Sequence, residues 1–153
     1  MKTLIICASY HHQNTLKVAR AMNEVLGGTI VAPADVDLST LAGYDLIGFG
    51  SGAYNQFFHP SMLKLAAKLP ELKGKKAFIF STNTFGLRLF NDKFKPLLEQ
   101  KGFSVVADFS CRGFIDFSFT RFFFGGISKG HPSEKELQAA REFARQLTLA
   151  AGG

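Results

Sequence analysis

The sequence contains no tryptophan and only two cysteines, Cys7 and Cys111. Small secreted domains stapled by disulfides carry several cysteine pairs, so a disulfide scaffold is excluded. No apolar run approaches the ~18 residues that span a bilayer. The apolar stretch Leu4–Ala8 behind Met1-Lys2 is too short for a signal peptide. A cytoplasmic protein is the expectation. With 46% apolar and 20% charged residues the chain is too apolar for a disordered tail. Its 153 residues are too few for separate cofactor and substrate domains, and one domain over residues 1–153 is expected. Acidic residues are also scarce: 12 stand against 18 basic ones, for a net charge of +6. That excess suits nucleic acid, a phosphate ligand or an acidic partner.

What is present is an alternation of short apolar runs and amphipathic stretches, the pattern of an α/β domain with a parallel sheet. Thr3–Ala8 is continuously apolar, as in a strand covered on both faces. Val18, Met22 and Val25 then form a helical stripe, with Asn14 as its expected cap and Gly27-Gly28 as its stop. Thr29–Ala32, Asp45–Gly50, Lys76–Ser81 and Phe103–Phe109 read as four further strands. Pro60 suits the first turn of a helix over Pro60–Leu69. Leu89, Phe90, Phe94, Leu97 and Leu98 keep helical spacing, with Pro96 expected to kink that helix or delay its start. Ser133-x-x-Glu136 is a capping box ahead of the stripe Leu137, Ala140, Ala144 and Leu147.

Five parallel strands with right-handed crossovers commonly take the order 2-1-3-4-5, with ligand at the switch point between strands 1 and 3. A doubly wound sheet with helices on both faces is therefore expected. The facing loops are Ser9–Thr15 and Ser51–His59, and the loop Ser81–Gly86 opens on the same edge. All three are rich in hydroxyls and amides, and the second and third carry aromatics. That suits a ligand with an anionic tail and a flat ring. Ser9, Asn14 and Thr15 offer donors beside a helix start, where phosphate binds without metal. Tyr54, Phe57, Phe58 and Phe85 are candidates for stacking, with Tyr54 and Phe85 preferred because most of the 17 phenylalanines must be core. Gly50, Gly52 and Gly86 permit close backbone approach, and Ser51, Thr82 and Asn83 can hydrogen-bond a polar ring edge.

Ser9-x-x-x-x-Asn14-Thr15 after a first strand resembles the phosphate loop of the flavodoxin family. The loops after strands 3 and 4 resemble its two flavin-ring loops. Gly125-Gly126-x-x-Lys129-Gly130-x-Pro132 is similar to a flavodoxin-domain subgroup of unassigned function. The resemblance runs from Lys2 to Leu149. It implies non-covalent FMN and electron transfer, with Ser9, His11, His12, Asn14 and Thr15 at the phosphate. Gly50, Ser51, Gly52, Ala53 and Tyr54, with Ser81, Thr82, Asn83, Thr84, Phe85 and Gly86, would lie along the ring. The phosphate loop departs from the family pattern: Gln13 stands where a glycine is usual, the loop is one residue shorter, and the pair His11-His12 supplies donors in compensation. The family's carriers are typically acidic, whereas this chain is basic and so expected to prefer an acidic redox partner.

Other readings compete for the same residues. Gly48-x-Gly50-x-x-Ala53 matches a loose dinucleotide fingerprint, but Pro60 starts the next helix too late. Cys7 sits as in a phosphatase loop whose required arginine is Gln13 here, and no Walker A motif is present. His11, His12, His59 and Cys7 lack metal-ligand spacing and read as first-turn donors or solvated side chains. The basic residues are scattered except at Lys73–Lys76, which argues against nucleic acid. Six phenylalanines between Phe114 and Phe124 suggest an exposed patch that serves as a homodimer contact, a docking face or a lid. The leading expectation is an FMN-binding electron carrier. A small FMN-dependent reductase acting on a quinone or similar acceptor comes next, and a flavin-free interaction module third.

Overall fold

The computed structural model describes residues 1–10, 13–54, 57–83, 85–112 and 132–152. Strand β1 (Thr3–Ala8) is buried along its whole length, as its unbroken apolar run requires. Its neighbours are β2 (Thr29–Val31) and β3 (Leu46–Tyr54), and the sheet continues through β5 (Lys76–Asn83) to β6 (Ser104–Arg112). All these pairs are parallel, in the order β2-β1-β3-β5-β6. That is the expected 2-1-3-4-5 topology. The additional strand β4 (Phe57–Phe58) pairs antiparallel with the end of β3.

Helices cover both faces. The stripe of α1 (Asn14–Leu26) packs with α4 (Glu134–Gly152) against Ile5, Phe78 and Phe80. On the other face α2 (Pro60–Lys68) and α3 (Leu89–Glu99) pack Met62, Leu65, Phe94 and Leu98 against Ile6, Phe49 and Ile79. Each fully buried side chain of this size contributes about 1.5–3 kcal/mol. Among the described residues no helix is long and apolar enough to cross a membrane.

The local signals act as expected at several ends. Gly27 takes a left-handed conformation and its N–H closes α1 onto Asn23 O. Pro60 stands in the first turn of α2. The box is made at α4: Glu136 N–H donates to Ser133 Oγ, and Ser133 N–H to Glu136 Oε1. Cys7 and Cys111 are free and buried, on strands separated by β3 and β5.

Four expectations are corrected. Asn14 does not cap α1 but is its buried first residue, and the cap position falls to Gln13, which makes no side-chain capping bond. Strands β3, β5 and β6 run past their expected ends because Ser51, Gly52, Thr82 and Asn83 find ladder partners there. Backbone pairing overrides their loop-like composition. Pro96 does not delay α3, which begins at Leu89 and continues through it to Glu99. Gly50 lies inside the sheet, where a β-carbon would collide with the ring of Phe80; Gly48 accommodates Phe78 in the same way. Gly50 was expected to let a flavin ring approach the backbone, and the Phe80 ring from β5 takes that room instead.

Gly50→Ala should therefore overpack the α1/α4 face and lower stability by about 1–3 kcal/mol. Urea denaturation measures the loss, and adding Phe80→Leu in the same chain should restore part of it.

Candidate functional site

The loops after β1, β3 and β5 leave the same edge of the sheet, the carboxyl ends of its parallel strands. Ser9 follows the end of β1, and its Oγ accepts the N–H of Leu16 in the first turn of α1. Asn14 and Thr15 are the first two helical residues and stand at the N-terminal, positive end of α1. No acidic residue occupies that turn. An anion placed there meets donors and the positive end of the helix dipole.

Gln13 precedes this turn with φ 53° and ψ 31°. Among the described residues it is the one non-glycine at positive φ. This is the position where the resemblance expects glycine, and the left-handed conformation that glycine adopts freely is kept without it. Such a conformation costs a side-chain-bearing residue about 1–2 kcal/mol.

Thr15 reaches across from α1 to β5, where its Oγ1 lies 2.8 Å from Thr82 Oγ1. Whichever hydroxyl donates, the pair retains one O–H proton. Gly52 of β3 lies beside both. A β-carbon at Gly52 would be in ordinary contact with the Tyr54 ring at 3.4 Å, Thr15 Oγ1 at 3.6 Å and Thr82 Oγ1 at 3.9 Å. The first turn of α1 and the ends of β3 and β5 thus converge on one point.

Two residues absent from the sequence-based site join the cluster. The His59 ring lies 4.2 Å from that of Tyr10 and 4.7 Å, edge to face, from that of Tyr54. His59 also caps α2: its Nδ1 accepts the N–H of Ser61 at 3.0 Å, which places the ring proton on Nε2. Tyr10 donates from its hydroxyl to Ser61 Oγ at 3.3 Å. The sequence signal for His59 was its place immediately before Pro60-Ser61 at a helix start. A contact between rings 49 positions apart leaves no local signal.

Several expected ring-edge residues serve the protein's own frame instead. Ser51 Oγ donates to Gly52 O and accepts the N–H of His59, bracing the β3–β4 turn. Asn83 closes the following loop with both ends of its amide, to Leu87 N and Leu87 O. Gly86 supplies the positive φ of that turn, 68°. Ser81 is buried beside Ser110 at 3.1 Å. Ala53 is a strand residue opposite Phe58, and Phe58 itself is core, stacked on Phe94. Phe85 is 73% exposed on the rim. His11, His12, Thr84 and the segment 114–124 lie outside the described residues. Burial pushes the Cys7 and Cys111 thiols up to about 12, so neither is a nucleophile at neutral pH.

No protein-family model matches the chain. It is 38% identical over 149 residues to the uncharacterized protein MJ0298 of Methanocaldococcus jannaschii, covering 96% of this chain and 98% of that one. Among solved structures it superposes on a flavodoxin from the domain Archaea with a TM-score of 0.75 at 17% identity, over 100% of both chains. The chain belongs to the family of MJ0298, and its fold is the flavodoxin fold. The same fold extends to an NADH:FMN oxidoreductase in its apo form, with a TM-score of 0.63 at 18% identity over 95% of this chain and 88% of that one. Within this flavodoxin fold, the clustered residues Ser9, Thr15, Gly52, Tyr54 and Thr82 sit at the switch point between β1 and β3 and at the neighbouring end of β5.

Two predictions follow from this geometry. Gln13→Gly relieves the left-handed strain and should raise stability by about 1 kcal/mol, read from the denaturation midpoint. Burial holds the His59 pKa below its ordinary value of 6.5, and its Nδ1 must stay unprotonated to cap α2. A lowered pKa means that the unfolded chain takes up the proton first. Stability is then full above pH 6.5 and declines as pH falls through the lowered value. His59→Asn keeps a capping side chain and should flatten that part of the pH–stability curve.

Proposed function

We propose that the chain binds FMN non-covalently at the ends of β1, β3 and β5 and acts as an electron carrier. The observation that carries this reading is the convergence of Thr15, Thr82 and Tyr54 around Gly52. Hydroxyl donors beside an acid-free helix start, with aromatic rings adjoining them, fit a phosphate on a flat ring system. Bound FMN supplies reversible uptake of one or two electrons.

The chain's own residues supply the rest. Ser9, Thr15 and the first-turn N–H groups at Asn14 hold the phosphate. Ser9 accepts the N–H of Leu16 on one lone pair and keeps its O–H to donate. Tyr54 and Phe85 stack on the ring, while Gly52 and Thr82 meet its edge. His11, His12 and Thr84 extend the same loops. Ser51, Asn83 and Gly86 contribute indirectly, by holding the two ring loops in shape. None of the three loops contains Asp or Glu to oppose an anionic ligand.

Titration of the flavin-free protein with FMN and with riboflavin tests the assignment. Thr15→Val removes a hydrogen bond to a charged group, which costs about 1.5–3 kcal/mol, or roughly 10- to 100-fold in affinity. FMN should weaken by that factor and riboflavin hardly at all. Tyr54→Ala should weaken both ligands alike and restore fluorescence to the bound flavin. Equal losses in Thr15→Val would move the phosphate elsewhere, and failure of the unaltered chain to bind either ligand would leave a flavin-free module.

A further inference from the structure

We infer that Thr82 is a positioning residue for the anion site: it gives its hydroxyl proton to Thr15, so that Thr15 gives its own to the bound anion. The inference deepens the FMN reading of that site, and needs of it only an anion at the start of α1. The Oγ1 atoms of Thr15 and Thr82 lie 2.8 Å apart, and the two residues are 2% and 5% exposed. Among the described residues neither hydroxyl has another hydrogen-bond partner. Two hydroxyls bring two protons, and their mutual bond uses one. The other is a buried donor without an acceptor, which proteins seldom leave unmet.

Which hydroxyl carries the spare proton depends on the side from which an acceptor arrives. Thr15 is the second residue of α1, at the positive end of the helix dipole and in a turn without acidic residues. An anion is therefore favoured on its side of the pair. A hydroxyl has a single proton to give. If Thr15 spent it on Thr82, it would turn only lone pairs towards the anion and repel it. The favourable order runs from Thr82 to Thr15 to the anion, and each bond in it polarises the next.

The two hydroxyls are held in different ways. Thr82 has ladder partners on both sides, Gly52 of β3 and Cys111 of β6, and its β-branched side chain has little freedom at χ1. Thr15 stands too early in α1 to have a helical carbonyl three or four residues before it, the acceptor that helical threonines often take. Thr82 thus aims a hydroxyl that its own helix leaves undirected. It keeps its lone pairs for the ring edge, so the two roles do not compete. A residue of the ring segment thereby bears on the phosphate end.

The readout is the ratio of FMN to riboflavin affinity in the flavin-free chain, because any contact of Thr82 with the ring edge weakens both ligands alike and cancels. Thr82→Val keeps the shape and removes the proton. The ratio should then fall about three- to tenfold, and Thr82→Ser should hold it within about twofold of the unaltered chain. In a Thr15→Val background, Thr82→Val should change the ratio no further, since Thr82 acts through Thr15. Inorganic phosphate, titrated against the isotope-labelled chain and followed at the amide signals of Asn14, Thr15 and Leu16, should rank the variants in the same order without any flavin. Each variant is checked for an unchanged far-UV circular dichroism spectrum, and Thr82→Ala repeats the comparison if valine disturbs β5. An unchanged ratio in Thr82→Val, a loss in Thr82→Ser as large as in Thr82→Val, or a full further loss in the double variant would overturn the inference. Failure of the FMN reading would appear differently, as absent flavin binding while phosphate still distinguishes Thr82→Val from the unaltered chain. A chain that binds neither flavin nor phosphate would overturn both.

Discussion

The packing of β5 against β3 sets the terms for the rest of the molecule. In the central strand, Gly48 and Gly50 alternate with Ile47, Phe49 and Ser51, and the ladder sets them opposite Phe78 and Phe80. Each ring lies over the glycine opposite it, and neither would fit over a β-carbon. On this face of the sheet one strand supplies volume and the next supplies room, at the density that protein interiors require. Phe78 and Phe80 then stand in the layer where α1 and α4 pack. On the other face Phe49 meets Phe94 and Phe103 beneath α3. The strand pair fixes both helical layers.

The same alternation explains why a site lies where it does. The next step of the series pairs Gly52 with Thr82. A ring gives way to a hydroxyl, and the space over the glycine is no longer filled by its neighbour. Thr15 reaches into that region from the first turn of α1. The crevice is thus the continuation of a core motif past the point where phenylalanine ends. Among the described residues, the one non-glycine at positive φ is Gln13, whose turn brings Asn14 and Thr15 into the helix at the edge of the sheet. A left-handed residue kept without glycine next to a cluster of donors is the pattern that functional loops show.

Much of this was legible in the sequence because it rests on periodicity. The unbroken apolar run of β1, the stripe of α1, the Pro60 start and the Ser133 box each name an element by a local rule, and the parallel order follows from crossover handedness. The ends of the strands were not legible. Ser51–Tyr54 and Thr82–Asn83 look like loop, and only partners on other strands make them sheet. Two-residue β4 is too short to carry a pattern. Within the site, hydroxyls and amides announced that the loops were polar, but not whom they served. Ser51 and Asn83 turn inward to hold their own loops, while Thr15 and Thr82 face each other across two. Tyr10 and His59 were missed because their pairing is entirely tertiary.

The net charge of +6 acquires meaning only when it is placed. Arg141 takes both Glu24 and Glu134 on the surface between α1 and α4, Arg145 takes Glu142, and Asp37 is turned to its own Ser39. Exposed pairs of this kind add little stability individually, typically 0–1 kcal/mol. Their larger effect is on the field, because each Arg–Glu pair cancels both of its charges where it stands, whereas Asp37, bonded to a neutral hydroxyl, keeps its charge. The first turn of α1 carries no acidic residue, and it stands at the carboxyl end of the sheet, at the phosphate end of the proposed site. The densest basic run, Lys73–Lys76, stands at the opposite edge, where β5 begins. Net charge and local field thus differ in where they act, and an anion at the helix start meets the dipole rather than the lysine run. Rising ionic strength should weaken such binding only modestly, because a charge held partly desolvated at a helix start is screened less than one in open solvent.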